Sequence, residues 1–473
     1  MENKTLLGNE DCLFLNVYTP FLNFKFPVMF WIHGGYFTRG SSNSYTARYF
    51  LDKKIILVTI NYRLGIFGFL STGDLTAPGN FGLKDQVLAL KWVQENIKSF
   101  GGDPKRVTIF GQSAGGVSVN LLALSRVTHG LFHQYIIESG SALCPWAYQK
   151  KNSMVEHLSD IKTLVNCSFN TSEKIIDCLR EKNVSELLST KTIFNYMSRI
   201  AKLTWTPTEE NDNNKDAIIT DDPKNLIHEM KDLPYIVGVN VNEGLLVTGM
   251  FYSNYFLFNI LKLLHAKLIG FVASHYFGAN DNKKFIDLVN QFYFNNTFDD
   301  ELKYLRAITN FVTDGFFIYP TLKMLQKVSP HMKNLNYAYV FGYRGEFSTT
   351  MSITDDNRNI GVNHMDELIY LFPIKFISPK LKDKILTGPD FFISEVMVNL
   401  WTSFAITGKP KAEELKNPEI WKPYTTLNNR YLQIGNIRNN TDPRIILSTS
   451  ILPNRFKFWT NHCPMSLKEN KYT

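Results

Sequence analysis

The chain has 473 residues, 44% hydrophobic and 20% charged, which excludes a disordered polypeptide and leaves material for a sizeable core. Its formal net charge of +8 is scattered, with no block of five or six basic residues, so nucleic-acid binding finds no support. No run of 18 apolar residues occurs, so no membrane span is expected. The nearest candidate, 256–277, is interrupted by Lys262, His265 and Lys267 and reads as an amphipathic helix near the mouth of a site.

In chain order, 26–33 and 55–63 read as buried strands. The segment 80–97 places Leu83, Val87, Leu90, Val93 and Ile97 on one helical face. Further strands are expected at 106–110, 134–140, 233–240 and 336–343. Strands alternating with helices predict an α/β fold, a mostly parallel sheet with helices on both faces. The stretches 245–330 and 375–425 read as mostly helical insertions, so 1–473 is expected to be a single domain. Residues 208–216 form a solvated loop.

Five cysteines are present. Cys167 and Cys178 bracket a short polar span that would close as a small disulfide loop; Cys12, Cys144 and Cys463 have no evident mates. Six N-x-S/T sequons begin at Asn3, Asn166, Asn170, Asn183, Asn295 and Asn439. They lean faintly towards an extracytoplasmic glycoprotein. The start of the chain, by contrast, shows no signal peptide. Two readings stay open, an N-terminally incomplete sequence or a protein that remains in the cytoplasm.

The segment 106–125, RVTIFGQSAGGVSVNLLALS, carries chemistry. Ser113 lies in G-x-S-x-G between a β-branched strand and a helix-like run, the context of a nucleophile elbow. Gly111 and Gly115 are needed there because a side chain would collide with a neighbouring strand or helix. A serine hydroxyl needs a base, a carboxylate that orients the base, and donors for the oxyanion. Glycines 34 and 35, after His33 at a strand end, supply candidate donors; a plain glycine turn reads the same way. Glu243 lies just past a strand's carboxyl end, where catalytic groups of open α/β sheets gather. Among ten histidines, His364 stands in a loop before a helix-like run. The order Ser113, Glu243, His364 is that of α/β-hydrolases.

These residues, with EDCLFLNVYTP (10–20) and FGGDPKRVTIFGQSAGG (100–116), resemble the two signatures of type-B carboxylesterases, the family that includes cholinesterases and insect esterases. HGGYF, NYRLGIFGFL, SGSALCPWA, GVNVNEG and GVNHMDELIYLF follow in the family's order, and the flavour is that of an arthropod enzyme. The resemblance implies an α/β-hydrolase fold and hydrolysis of small carboxylic esters through an acyl-enzyme, without metal or organic cofactor. It makes Ser113 the nucleophile, His364 the base and Glu243 the acid, with Gly34, Gly35 and Ala114 around the oxyanion. It also implies a Cys167–Cys178 disulfide, an Arg63–Asp85 structural ion pair and secretion.

Four departures stand out. Tyr36 replaces a third glycine or small residue and would narrow the pocket, and Gln112 precedes the serine where cholinesterases carry glutamate. The family's segment upstream of residue 10 is missing, which makes Cys12 a free thiol and argues against cholinesterase activity. Cys463 has no recognisable mate. The competing reading is a non-catalytic or ester-sequestering binding protein on the same fold, as in neuroligin-like adhesion proteins. Oligomeric state cannot be read from the sequence.

Overall fold

A computed structural model of the chain describes residues 8–188, 205–278, 283–354, 358–373 and 385–464. Backbone proximity divides them into two units. The first gathers Met1–Ser44, Lys54–Ile137 and Trp146–Leu233; the second gathers Tyr45–Lys53, Glu138–Pro145 and Pro234–Thr473.

The first unit is built on β1 (Leu15–Tyr18), β2 (Phe26–Ile32), β3 (Ile56–Ile60), β4 (Gly102–Gln112) and most of β5 (Gln134–Glu138). Their order is β1-β3-β2-β4-β5. β2 runs parallel to β3 and β4, and β1 pairs antiparallel with β3. All seven residues of β2 and all five of β3 are buried, as strands covered on both faces must be. The ladder between β2 and β4 skips from Phe26↔Gly102 to Val28↔Val107, and Pro104, which has no N–H to give, sits in that irregular stretch.

Helix α1 (Phe81–Asn96) buries Leu83, Val87, Leu90 and Val93, the face expected from its spacing. Arg63 donates to Asp85 through Nε (2.8 Å) and Nη2 (2.7 Å), tying the end of β3 to α1 as the family pattern implies. Helix α2 (Ala114–Leu124) is buried along its whole length. The Cys167–Cys178 disulfide, its Cα atoms 5.7 Å apart, ties the loop after α3 (Lys151–Leu164) to α4 (Ser172–Arg180). Among the described residues, Cys12 and Cys144 form no disulfide. Asn166, Asn170, Asn183, Asn295 and Asn439 are exposed; Asn3 lies outside the described residues.

The second unit holds β6 (Tyr235–Asn240), β7 (Asn336–Phe341), β8 (Arg430–Ile434) and β9 (Ile445–Thr449), paired in that order. β6, β7 and β8 are parallel and β9 is antiparallel. Between β6 and β7 run α5 (Tyr255–Leu263), α6 (His265–Phe277), α7 (Lys283–Tyr293), α8 (Glu301–Thr313) and α9 (Tyr319–Val328). A π-helical turn, Asp314–Ile318, joins α8 to α9, and Pro320, which has no N–H to donate back into that turn, follows it at the start of α9. Helices α10 (Gly388–Thr407) and α11 (Pro453–His462) complete the unit.

The expected helical insertion at 245–330 is present. The one at 375–425 is only partly so: α10 covers 388–407, 408–429 holds turns, and 374–384 lies outside the described residues. Pro410 and Pro418, with Gly408 in the left-handed region, end the helix there.

Aromatic residues fill the core of these insertions. Phe277, Phe285, Phe311 and Tyr319 pack around Trp459 with ring centroids 4.8–6.0 Å apart. The single helix expected at 256–277 is instead two helices, α5 and α6, bent by 70° at Leu264. Among the described residues, no single helix is long and apolar enough to cross a membrane.

Candidate active site

Ser113 stands between the end of β4 and the start of α2, with φ 59° and ψ −123°. A non-glycine residue in that region carries strain on the order of 1–3 kcal/mol and is held there only by its surroundings. Close approach explains the flanking glycines. A Cβ at Gly115 would stand 2.0 Å from the Ile32 carbonyl oxygen, and one at Gly111 would stand 2.6 Å from the same atom. The first turn of α2 behind Ser113 offers N–H groups, Ala114's among them, that have no intrahelical acceptor. Gln112, the last residue of β4, is buried.

The oxyanion candidates follow β2. A Cβ added to Gly34 would lie 3.0 Å from Ser113 Cβ, so this loop passes directly against the serine. Gly35 (φ 119°), Tyr36 (φ 58°) and Phe37 (φ 58°) form three successive left-handed residues, which reverse the chain sharply. The reversal is secured at both ends. Phe37 is buried against Phe69 and its carbonyl accepts from the Gly65 N–H at 2.7 Å, while the Gly35 carbonyl accepts from Thr38 and Arg39. Tyr36 is half-buried beneath the Arg39 guanidinium, 5.3 Å above its ring. His33 stacks on Tyr62 at 4.5 Å and sets Nδ1 2.8 Å from the Gly34 carbonyl. Burial lowers its pKa to about 4, so His33 is neutral and its Nδ1–H donates.

In the second unit, Glu243 and His364 meet. Glu243 Oε2 lies 2.5 Å from His364 Nδ1, and both side chains are buried, at 0% and 2% exposure. Glu243 follows β6, and its other oxygen accepts from the Asn240 N–H at 2.7 Å. The next N–H, that of Gly244, donates to Thr313 Oγ1 at 2.9 Å. His364 lies in the turn before a short 3-10 helix, Asp366–Tyr370, with Phe317 5.1 Å from its ring. With Nδ1 engaged by a carboxylate, Nε2 is the nitrogen left to exchange a proton.

Asp366 was not singled out in the sequence, yet it organises the histidine loop. It accepts from the N–H of Thr349 (2.7 Å) and of Asn363 (2.8 Å), and from the hydroxyls of Ser348 and Thr349. The His364 carbonyl, 3.0 Å from the Thr349 hydroxyl, is the alternative acceptor for that one proton. Asn240 is the second missed residue: its amide donates to the Asn363 carbonyl at 2.8 Å and to Glu367.

Glu138 and Glu367 are also buried in this unit. Burial, followed by the charges of Glu243 and Glu138, pushes the Glu367 carboxyl well above its usual range. Burial raises Glu138 to about 8, partly offset by the Trp401 indole N–H that donates to it at 2.6 Å. Of these three buried glutamates, Glu243 is the one bonded to histidine.

The sequence profile of the carboxylesterase family matches residues 1–459. The chain belongs to that family. Relatives include the juvenile hormone esterase of Tribolium castaneum, 37% identical over 88% of this chain and 73% of that protein. Venom carboxylesterase-6 of Apis mellifera is 34% identical over 91% of this chain and 77% of its own length. The bile salt-activated lipase of Bos taurus is 33% identical over 96% and 75%. Family membership brings the α/β-hydrolase fold, with which the parallel β2-β4 and β6-β8 strands agree, and an esterase function acting on small-molecule esters. No group of three or more His, Cys, Asp or Glu that could hold a metal occurs among the described residues of this carboxylesterase.

Proposed function

We propose that this carboxylic ester hydrolase works by acyl transfer, with Ser113 as nucleophile, His364 as general base and Glu243 as the carboxylate that orients it. Ser113 Oγ attacks the ester carbonyl as His364 Nε2 takes its proton, and the backbone N–H groups of Gly34, Gly35 and Ala114 receive the oxyanion. The alcohol leaves with the proton from His364. Water, deprotonated by the same nitrogen, then releases the acid and frees Ser113. The observation that carries this reading is Ser113 held at positive φ between Gly111 and Gly115, where Ile32 leaves no room for a Cβ at either glycine. A binding protein of this fold would not require it.

Tyr36 and Gln112 line the acyl or alcohol pocket in this reading, Tyr36 limiting the bulk accepted. The whole chain acts as one catalytic domain. The disulfide and the five exposed sequon asparagines support a secreted glycoprotein. The substrates are small-molecule carboxylic esters, in keeping with the names juvenile hormone esterase and venom carboxylesterase of the insect relatives.

The purified protein is expected to hydrolyse a short-chain aryl ester, and Ser113→Ala to lower kcat by about 10⁴-fold or more. An organophosphate is expected to phosphorylate Ser113 Oγ with loss of its leaving group, adding the mass of the remaining phosphoryl group to the peptide carrying Ser113. Equal turnover by wild type and Ser113→Ala, or labelling elsewhere, would overturn the assignment.

A further inference from the structure

The helix pair α5–α6 is unusual on its outer side. Phe258 and Leu261 of α5, with Ile269, Val272 and Phe277 of α6, are buried in the core of the second unit. The opposite face of a surface helix is normally polar. Here it is not: Tyr255, Phe256 and Leu263 are 70%, 72% and 83% exposed, and Ile260, Leu264 and Phe271 extend the patch. Tyr255, Phe256, Ile260 and Leu263 fall within one arc of α5, with Asn259 the polar member among them and Lys262 at its margin.

Charge is as one-sided as apolarity. No Asp or Glu occurs between Glu243 and Asp281, whereas Lys262 and Lys267 are exposed beside the patch. An apolar face with an aromatic belt and basic margins is the composition of a helix lying in a lipid interface. By composition the pair would pass for a membrane span, but its inner face is anchored in the protein core and it bends by 70°. Only the outer face is therefore available, and it can lie on a lipid layer without crossing it.

We propose that the outer face of α5–α6 docks this esterase on a lipid–water interface bearing anionic headgroups. Tyr255, Phe256, Ile260 and Leu263 enter the acyl boundary while Lys262 and Lys267 meet the headgroups. The proposal concerns where the enzyme works and stands whether or not Ser113 is its nucleophile.

Flotation with vesicles tests it. The full-length protein is expected to rise with phosphatidylcholine vesicles containing phosphatidylglycerol and much less with phosphatidylcholine alone. The double variant Phe256→Ser/Leu263→Ser is expected to lose about tenfold or more of that binding. Its melting temperature and its turnover of a soluble ester should match wild type, since both side chains are exposed and outside the catalytic machinery. Lys262→Glu/Lys267→Glu is expected to abolish the preference for anionic vesicles. Wild type remaining in the buffer with both vesicles, or the serine variant floating as well as wild type, would overturn the proposal. A dimer by light scattering that the serine variant dissolves, without vesicle binding, would overturn it in favour of self-association.

Discussion

Ser113 and His364, the proposed nucleophile and base, are held by opposite means. Around Ser113 the controls are steric: Gly111, Ser113 and Gly115 lie within five residues, and Ile32 leaves no room for a Cβ at either glycine. Around His364 they are hydrogen bonds. Glu243 lies 121 positions away, Asn240 spans to Asn363, and Asp366 fastens the loop to Ser348 and Thr349. A steric site has one arrangement and fails abruptly. A hydrogen-bonded site loses orientation by degrees, because each lost bond leaves the others in place.

The largest effect on turnover should come from the one bond of the bonded side that sets the tautomer of His364 rather than its position. Glu243→Gln keeps the shape but leaves His364 in the wrong tautomer, and kcat is expected to fall about 10⁴-fold with little change in unfolding midpoint. A loss below tenfold would mean that the loop bonds alone orient the histidine. On the steric side, Gly115→Ala puts a Cβ 2.0 Å from the Ile32 oxygen, so the backbone must move. A loss of about 1–3 kcal/mol in urea unfolding is expected, together with a fall in turnover. Full stability with full activity would show that the elbow is more compliant than its contacts imply.

The smallest effect concerns pH. The Glu138 value, raised from 4.5 to about 8, exceeds that of the unfolded chain, so the native state binds the extra proton. Its contribution to stability is complete below about pH 4.5 and lost as pH rises towards 8, at up to about 1.4 kcal/mol per pH unit. His33 acts in the opposite sense, costing stability as pH falls from 6.5 towards 4. Glu138→Gln is expected to flatten the fall in urea midpoint between pH 5 and 8. An unchanged slope would assign the proton elsewhere.

The same contrast decides what the sequence reveals. Ser113 and its glycines are readable because their causes are neighbours in the chain, and Cys167–Cys178 is readable because its loop is short. Glu243 and His364 stand out through residue type, strand-end position and family order. Asn240, Asp366 and Glu367 do not: an asparagine ending a strand or an acid opening a helical turn has many ordinary uses. Their roles exist only once segments more than a hundred positions apart have met. Likewise, the spacing in 256–277 shows an apolar stripe but not which side the core will cover. Leu263 is almost fully exposed while Leu261, two residues earlier, is buried.

The left-handed backbone of Ser113 has a consequence for engineering. Glycine is the residue that this conformation favours, and replacing Ser113 with glycine relieves roughly 1 kcal/mol of strain, part of which returns as extra freedom of the unfolded chain. A screen that ranks variants of this esterase by heat resistance alone would thus drift towards glycine at position 113. On the proposed mechanism its winners would be molecules that can no longer be acylated, so such a screen must score turnover alongside survival.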